Sequence, residues 1–288
     1  MTIIIKMSYI EHLIENKENK LTEINKNYGE IARSNGDKFE IEICEYYNKY
    51  ENNKKIVNII REIYPDISLD GKFIKCDSKL VKSIHRKKTK RKTDIWYQTE
   101  EKKIGFSVKM TNKGTQLQII SLSIFIIYLN SRGIKMNEKT KVGFEKFLGL
   151  IKPTKDELKI FNESRTKKNK NKQRYLMYEL EQETQNRICM FLKTHYSIII
   201  ELILKTGLCM EEEDKANLFI FNNVSYTNTG KIQPYIYNYS ELKEKYKEDV
   251  KITKLGSLEL NKYIGLQMKG SGKKGSSAYH SLQFKLRK

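Results

Sequence analysis

Apolar positions first recur at helical intervals. Phe39, Ile43, Tyr46, Tyr47 and Tyr50 recur at helical spacing and form one stripe. Asp37 followed by Glu40 has the spacing of a capping box, so Asp37 is expected to open this helix. The preceding residues, 1–34, are charged and read as a helical outer arm. A second helical stretch, Lys54 to Tyr64, stops at Pro65, and Asp70-Gly71 is a turn signal.

From Phe73 to Met110 the period shortens towards two. Thr93 to Tyr97 reads as a strand, Glu100 to Lys103 as a polar turn and Ile104 to Met110 as a second strand. Gly114 precedes a mostly apolar stretch, Thr115 to Asn130, which predicts a helix ended by Gly133. Helical segments follow around 138–150 and 155–163. Ser164 to Arg174 is polar and basic, the pattern of an exposed loop. Lys172 to Lys205 predicts a long helix, with Gly207 just past its end. Strand-like patterns then return at Leu218 to Val224, Tyr235 to Tyr239, Val250 to Leu255, Tyr263 to Met268 and Ser281 to Leu286. There is no internal repeat and no Pro/Gly/Ser-rich linker. The pattern predicts one α/β domain over 1–288: the arm at 1–34, a core at 34–130, helical additions at 131–210 and a strand-rich part at 211–288.

Charge changes this picture. Lys and Arg number 55 against 35 Asp and Glu, a formal net charge of +20. Such an excess suits a polyanionic partner, because Lys and Arg that meet phosphates release condensed counterions. Nucleic acid is the first candidate and an anionic membrane surface the second. The chain is also rich in Ile, Lys and Asn, as an AT-rich genome produces, so part of the Lys excess reflects base composition. Cys44, Cys76, Cys189 and Cys209 are far apart and form no C-x-x-C pair, which argues against a zinc site or a disulfide framework. His12, His85, His195 and His280 are scattered too. Ile3 to Ile5 do not make a signal core, and Leu117 to Leu129 is too short to span a bilayer. A reducing cytoplasm and no membrane partner are the simplest expectation.

The chemistry concentrates in Lys92-Thr93-Asp94-Ile95-Trp96 and Gly105-Phe106-Ser107-Val108-Lys109. Side chains alternate along a strand, so Ser107 and Lys109 share one face while Phe106, Val108 and Met110 face a core. If the two strands pair as a hairpin, Asp94 reaches the Ser107/Lys109 face. A carboxylate, a hydroxyl and an ammonium then meet at a sheet surface. Phosphodiester hydrolysis calls for such a set: a hard cation such as Mg²⁺ prefers oxygen ligands and keeps several waters, and it activates a bound water and stabilises the leaving oxygen. Asp94 is the expected metal ligand and the backbone carbonyl of Val108 the second. Lys109 would orient the attacking water or hold the phosphate.

This segment resembles the PD-(D/E)XK nuclease superfamily, most of all its type II restriction endonucleases, which carry a K-T-D-I … G-[IF]-S-[IV]-K version of the motif. Asp94 matches the first acid and Lys109 the lysine. Ser107 stands where the superfamily usually has Asp or Glu, a departure that removes one carboxylate from a second metal. Ser34 to Glu40 is similar to the family's early helix, and Glu40 matches its glutamate, which points to the metal site. Gln116 and Gln118, expected to open the helix after the lysine strand, match a frequent glutamine that arranges the site or contacts DNA. The resemblance covers roughly residues 34–130 and the C-terminal tail. It implies a central mixed sheet flanked by helices, with Asp94, Ser107, Lys109, Glu40 and Gln116 in the catalytic set and Asp94, Val108 and Glu40 around Mg²⁺.

Basic segments are the candidate DNA contacts. Arg86, Lys87, Lys88 and Arg91 lie in the run His85 to Lys92, just before the Asp94 strand, where they would neutralise backbone phosphates. Arg165 opens a second run. The tail reads as strand, Gly-rich loop and strand. Its glycines allow close backbone approach to phosphates, and Lys269, Lys273, Lys274, Ser276, Ser277 and Gln283 supply donors. This tail is similar to a Q-x-K-G … L-Q-F-K ending of several type II restriction enzymes, and it is not a Walker A loop. The resemblance therefore implies Mg²⁺-dependent, sequence-specific cleavage of double-stranded DNA, a homodimer on a palindromic site and a cognate DNA methyltransferase in the same system. The competing expectations are a repair or junction-resolving nuclease on the same fold and a non-catalytic nucleic-acid-binding protein.

Overall fold

A computed structural model describes residues 28–85, 88–111, 116–167, 169–170, 172–223, 235–245, 247–269 and 280–286. Two compact units emerge, interleaved along the sequence. The first takes the described parts of Met1–Val81, Lys90–Asn112 and Glu211–Tyr239, and the second the rest.

In the first unit, strands β1 (Lys72–Lys75), β2 (Ile95–Gln98), β3 (Lys103–Thr111), β5 (Leu218–Asn223) and β6 (Tyr235–Asn238) form one sheet in the order β1-β2-β3-β5-β6. All neighbours run antiparallel except β3 and β5, which are parallel, so the sheet is mixed. Helices α1 (Tyr28–Tyr47) and α2 (Tyr50–Ile63) flank it. Phe39, Ile43 and Tyr47 of α1 and Ile56, Val57 and Ile60 of α2 pack on Phe73, Ile95, Tyr97, Ile104, Phe106, Val108, Leu218 and Ile220. Each such side chain contributes about 2 kcal/mol of burial. The expected mixed α/β class, with a five-stranded mixed sheet and flanking helices, is present.

Edge strand β1 does not stand open. The side chain of Asn48 accepts from the backbone N–H of Phe73 at 2.8 Å and donates to its carbonyl at 2.9 Å. One amide therefore does the work of a neighbouring strand and blocks further pairing there.

The expected helix start at Asp37 is corrected. Helix α1 already runs from Tyr28 and passes through Gly36 and Asp37, so Asp37 is no cap. Asp37 and Glu40 lie three apart on one helical face, and both bind Lys75 of β1. An ammonium partner from another element, invisible to local spacing, explains the pair.

The second unit holds a sheet of strands β4 (Gln116–Ile120), β7 (Lys251–Ile252), β8 (Leu258–Glu259), β9 (Ile264–Lys269) and β10 (Ser281–Leu286). Their order is β4-β10-β9-β8-β7, antiparallel throughout. Its helices are α3 (Leu122–Ser131), α4 (Glu138–Leu148), α5 (Lys155–Ser164), α6 (Gln182–Thr194) and α7 (Tyr196–Glu201). A last helix, α8 (Tyr239–Lys245), starts where the first unit ends. Phe125, Phe144, Phe191 and Phe284 interlock with ring centroids 6.3–6.5 Å apart.

Two helix expectations fail here for physical reasons. Residues 116–120 are a strand, paired with β10 more than 160 residues on, and the helix starts only at Leu122, where the Ser121 hydroxyl accepts from the Ile124 N–H. The stretch Lys172 to Lys205 is not one helix. The Glu179 carboxylate accepts from the Leu176 N–H and holds a 3₁₀ turn at Met177–Glu179; α6 follows, α7 starts after His195, and a π-helical turn closes at Leu202–Thr206. Gly133 and Gly207 do end their elements with positive φ of 76° and 52°, conformations that glycine adopts without a Cβ penalty.

One glycine of β3 sits where no side chain fits. A Cβ on Gly105 would collide with the Lys215 carbonyl and the Thr93 hydroxyl, which bond each other at 2.7 Å. Gly105→Ala is expected to cost about 1–3 kcal/mol in urea denaturation. Gly36→Ala, inside α1 with open space around it, is expected to gain about 0.5–1 kcal/mol. An unchanged midpoint for Gly105→Ala contradicts the packing described.

Candidate active site

Asp94 sits just before β2. Its backbone N–H donates to the Phe106 carbonyl at 2.8 Å, which extends the β2–β3 ladder beyond the Ile95–Phe106 pair. The register brings the Asp94 side chain against the face of β3 that carries Ser107 and Lys109. Three donors from three consecutive residues meet one oxygen: Ser107 Oγ at 3.0 Å, the Val108 N–H at 2.7 Å and Lys109 Nζ at 2.8 Å all reach Asp94 Oδ2. Lys109 Nζ also donates to the Val108 carbonyl at 3.0 Å. Among the described residues, none of the Asp94 hydrogen bonds falls on Oδ1.

Burial grades these roles. Ser107 is 1% exposed, so its hydroxyl serves Asp94 and not solvent. The Asp94 and Lys109 side chains keep 22% and 21% of their surface. The carboxylate and ammonium therefore remain open to a small ligand.

Glu40 reaches the same corner from α1. Its carboxyl is raised to about 7: burial is the largest cause, the Asp94 charge adds to it, and Lys75 and Lys109 pull against both. Lys75 Nζ bonds the Asp37 carbonyl at 3.1 Å and its carboxylate at 2.9 Å, and lies 3.3 Å from Glu40 Oε2. Burial works against the Lys75 ammonium, but Asp37 and Glu40 outweigh it and raise its pKa. Three carboxylates, Asp37, Glu40 and Asp94, thus share two ammonium groups, Lys75 and Lys109. Sequence reasoning did not single out Lys75, which the pairing of β1 with β2 places there, and it took Asp37 for a helix cap. Cys44 and Cys76 stand nearby as neutral thiols, with Cys44 pushed up to about 12, mainly by burial and then by the Glu40 charge.

The donor set suits a hard divalent cation. Asp94 and Glu40 offer carboxylate oxygens and Val108 a carbonyl, and an ion of the Mg²⁺ type uses one or two carboxylates and fills its shell with water and substrate phosphate. An ammonium already bridges Asp94 Oδ2 and the Val108 carbonyl, so the corner attracts positive charge. Among the described residues, no group of three or more His, Cys, Asp or Glu side chains gathers to hold a metal.

Gln116 and Gln118 lie on β4 of the second unit and not at a helix start, which corrects that expectation. Gln116 accepts from Gln283 at 3.1 Å, and Gln283, only 3% exposed, accepts from Gln267 at 2.8 Å. Gln118 donates to the Ile119 carbonyl at 3.3 Å.

Arg165 is not on an exposed basic loop. Its fully buried guanidinium grips Glu179 and the carbonyls of Lys172 and Arg174, and charge pairing outweighs the local composition that suggested solvent. Arg91 is half-buried, pairs with Asp77 and Asp214 and stacks 4.9 Å from the Trp96 ring. Both arginines are bound into the fold. Lys88 is exposed, and Lys269 ends β9. Arg86, Lys87, Lys273, Lys274, Ser276 and Ser277 lie outside the described residues.

No protein-family model matches the chain, and no curated protein matches it. Among solved structures it is similar to restriction endonuclease MspI in complex with its cognate DNA, at 15% identity and a TM-score of 0.46, over 85% of this chain and 83% of that one. Among the described residues no helix is long and apolar enough to cross a membrane.

The raised Glu40 carboxyl gives a pH signature. Its folded pKa, about 7, exceeds its ordinary value of 4.5, so folding favours the protonated form. The stability this group contributes is complete below about 4.5 and is lost as pH rises through 7. In EDTA, Glu40→Gln is expected to be more stable than the parent at pH 8 by about 1–2 kcal/mol, after the lost Lys75 contact is discounted, with the gap closing at pH 4.5. Thermal unfolding at the two pH values reads this. A gap of equal size at both contradicts the burial of Glu40.

Proposed function

We propose that this chain is an Mg²⁺-dependent endonuclease of the type II restriction kind, cutting double-stranded DNA at a specific sequence. The observation that carries the reading is the convergence of Asp94, Ser107, Lys109 and the Val108 carbonyl at one corner of the sheet, with Glu40 beside them. A net charge of +20 supplies the attraction to a polyphosphate.

Asp94, Glu40 and the Val108 carbonyl would hold Mg²⁺. When bound, that ion supplies an activated water and a positive charge against the phosphate. The chain's own residues do the rest. Ser107 and the Val108 N–H fix the Asp94 carboxylate from one side. Lys109 presents an ammonium to the attacking water or to a non-bridging phosphate oxygen, where it offsets the charge that builds in the transition state. With Ser107 in place of a further carboxylate, the site has the ligands of one tightly held ion. Lys88, with Arg86, Lys87 and the tail residues Lys273, Lys274, Ser276 and Ser277, supplies the phosphate contacts. A homodimer would match a palindromic site, and a methyltransferase of the same sequence specificity would protect the host.

Purified protein, plasmid DNA and Mg²⁺ are expected to give discrete fragments that EDTA abolishes. A smear would make the chain a nonspecific nuclease, and retarded but uncut DNA would make it a binding protein. Asp94→Asn and Lys109→Ala are each expected to lower the cleavage rate by roughly 10³-fold, on the order of losing a major charge-stabilising group. Both should retain DNA affinity in gel-shift measurements with EDTA. Cleavage by either variant at the parent rate rules out the assigned roles.

A further inference from the structure

Lys109 touches two oxygens that the proposed metal site needs. Its ammonium donates to Asp94 Oδ2 at 2.8 Å and to the Val108 carbonyl at 3.0 Å. A carboxylate oxygen and a main-chain carbonyl, both hard donors, are bridged by a single positive charge. Half-buried surroundings make that charge matter, because screening by water is reduced where the Asp94 and Lys109 side chains keep about a fifth of their surface. The second carboxylate is treated alike, with Lys75 lying 3.3 Å from Glu40 Oε2. Both carboxylates therefore already have an ammonium partner within the chain.

We propose that Lys109 is the built-in counter-ion of the metal-free site, which it must vacate before a divalent cation is held by Asp94 and Val108. The inference rests on the metal-site reading above and adds an order of events to it. While Lys109 is bound to Asp94, its ammonium is spent on the carboxylate and is not available to a phosphate. Once released, the same ammonium is free to face the substrate. Occupation of the site and availability of the lysine become one switch. Binding of the cation and of Lys109 to the same oxygens is mutually exclusive, so each lowers the apparent affinity of the other by mass action.

The consequence runs against the usual result of removing a functional side chain. Lys109→Met keeps an unbranched chain of similar length and deletes the competing charge. It is expected to bind Mn²⁺, the probe, about tenfold more tightly than the parent in calorimetric titration without DNA. Lys109→Gln, which keeps a polar end without charge, should move in the same direction and serves if the Met variant does not fold. Asp94→Asn is the control for the site itself and should bind Mn²⁺ at least tenfold more weakly. Parent-like or weaker binding by the folded Lys109 variants, with Asp94→Asn impaired, overturns the counter-ion role alone. Parent-like binding by Asp94→Asn overturns the metal-site reading on which it rests.

Discussion

The structure of the candidate site depends on one contact set: Asp94 Oδ2 as the shared acceptor of a hydroxyl, a backbone N–H and an ammonium from residues 107, 108 and 109. Such convergence has a strict geometric requirement. The β2–β3 register must set Ile95 opposite Phe106, since a slip of one residue would turn Ser107 and Lys109 to the other face. The core enforces that register. Phe106 and Val108 belong to one buried cluster with Phe39 and Ile43 of α1 and Ile60 of α2. Burial of apolar side chains on one face of β3 thus fixes polar chemistry on the other.

A second constraint ties the helix layer to the chemistry. Helix α1 buries Phe39 and Ile43 and so carries Glu40 to the corner on the same turn. There the carboxyl loses water and sits near the Asp94 charge, which accounts for its shift to about 7. Lys75 limits the cost by anchoring Glu40 and Asp37 to β1. Like charges held close in partial burial are costly in isolation, and a site that gathers them gains when a cation arrives. Arg165 shows the contrasting case: its charge is fully buried but matched by Glu179 and two carbonyls, and it holds a turn.

Sequence made the central hairpin legible because alternation is a local property. Thr93 to Tyr97 and Ile104 to Met110 overlap the observed β2 and β3 closely, and the side-chain phase that puts Asp94, Ser107 and Lys109 together follows from period two. The later strands around 218, 235, 264 and 281 were legible for the same reason. What stayed hidden depends on distant partners. Residues 116–120 look helical because Leu117, Ile119 and Ile120 run straight into the apolar helix that follows; only pairing with β10 makes them a strand. Asp37 and Glu40 mimic a cap because their true partner, Lys75, is 35 or more residues away. Charge composition pointed to a polyanionic partner but not to the role of each cation, since Arg91 and Arg165 are held by acids 14 or more residues away.

The most direct test is crystallographic: anomalous diffraction from crystals of the parent protein soaked in Mn²⁺. The account predicts a strong peak within coordination distance of the Asp94 carboxylate and the Val108 carbonyl, with the Lys109 ammonium drawn off Asp94. A saturating soak with no peak at that corner, or with the ion bound elsewhere and Lys109 still on Asp94, contradicts it.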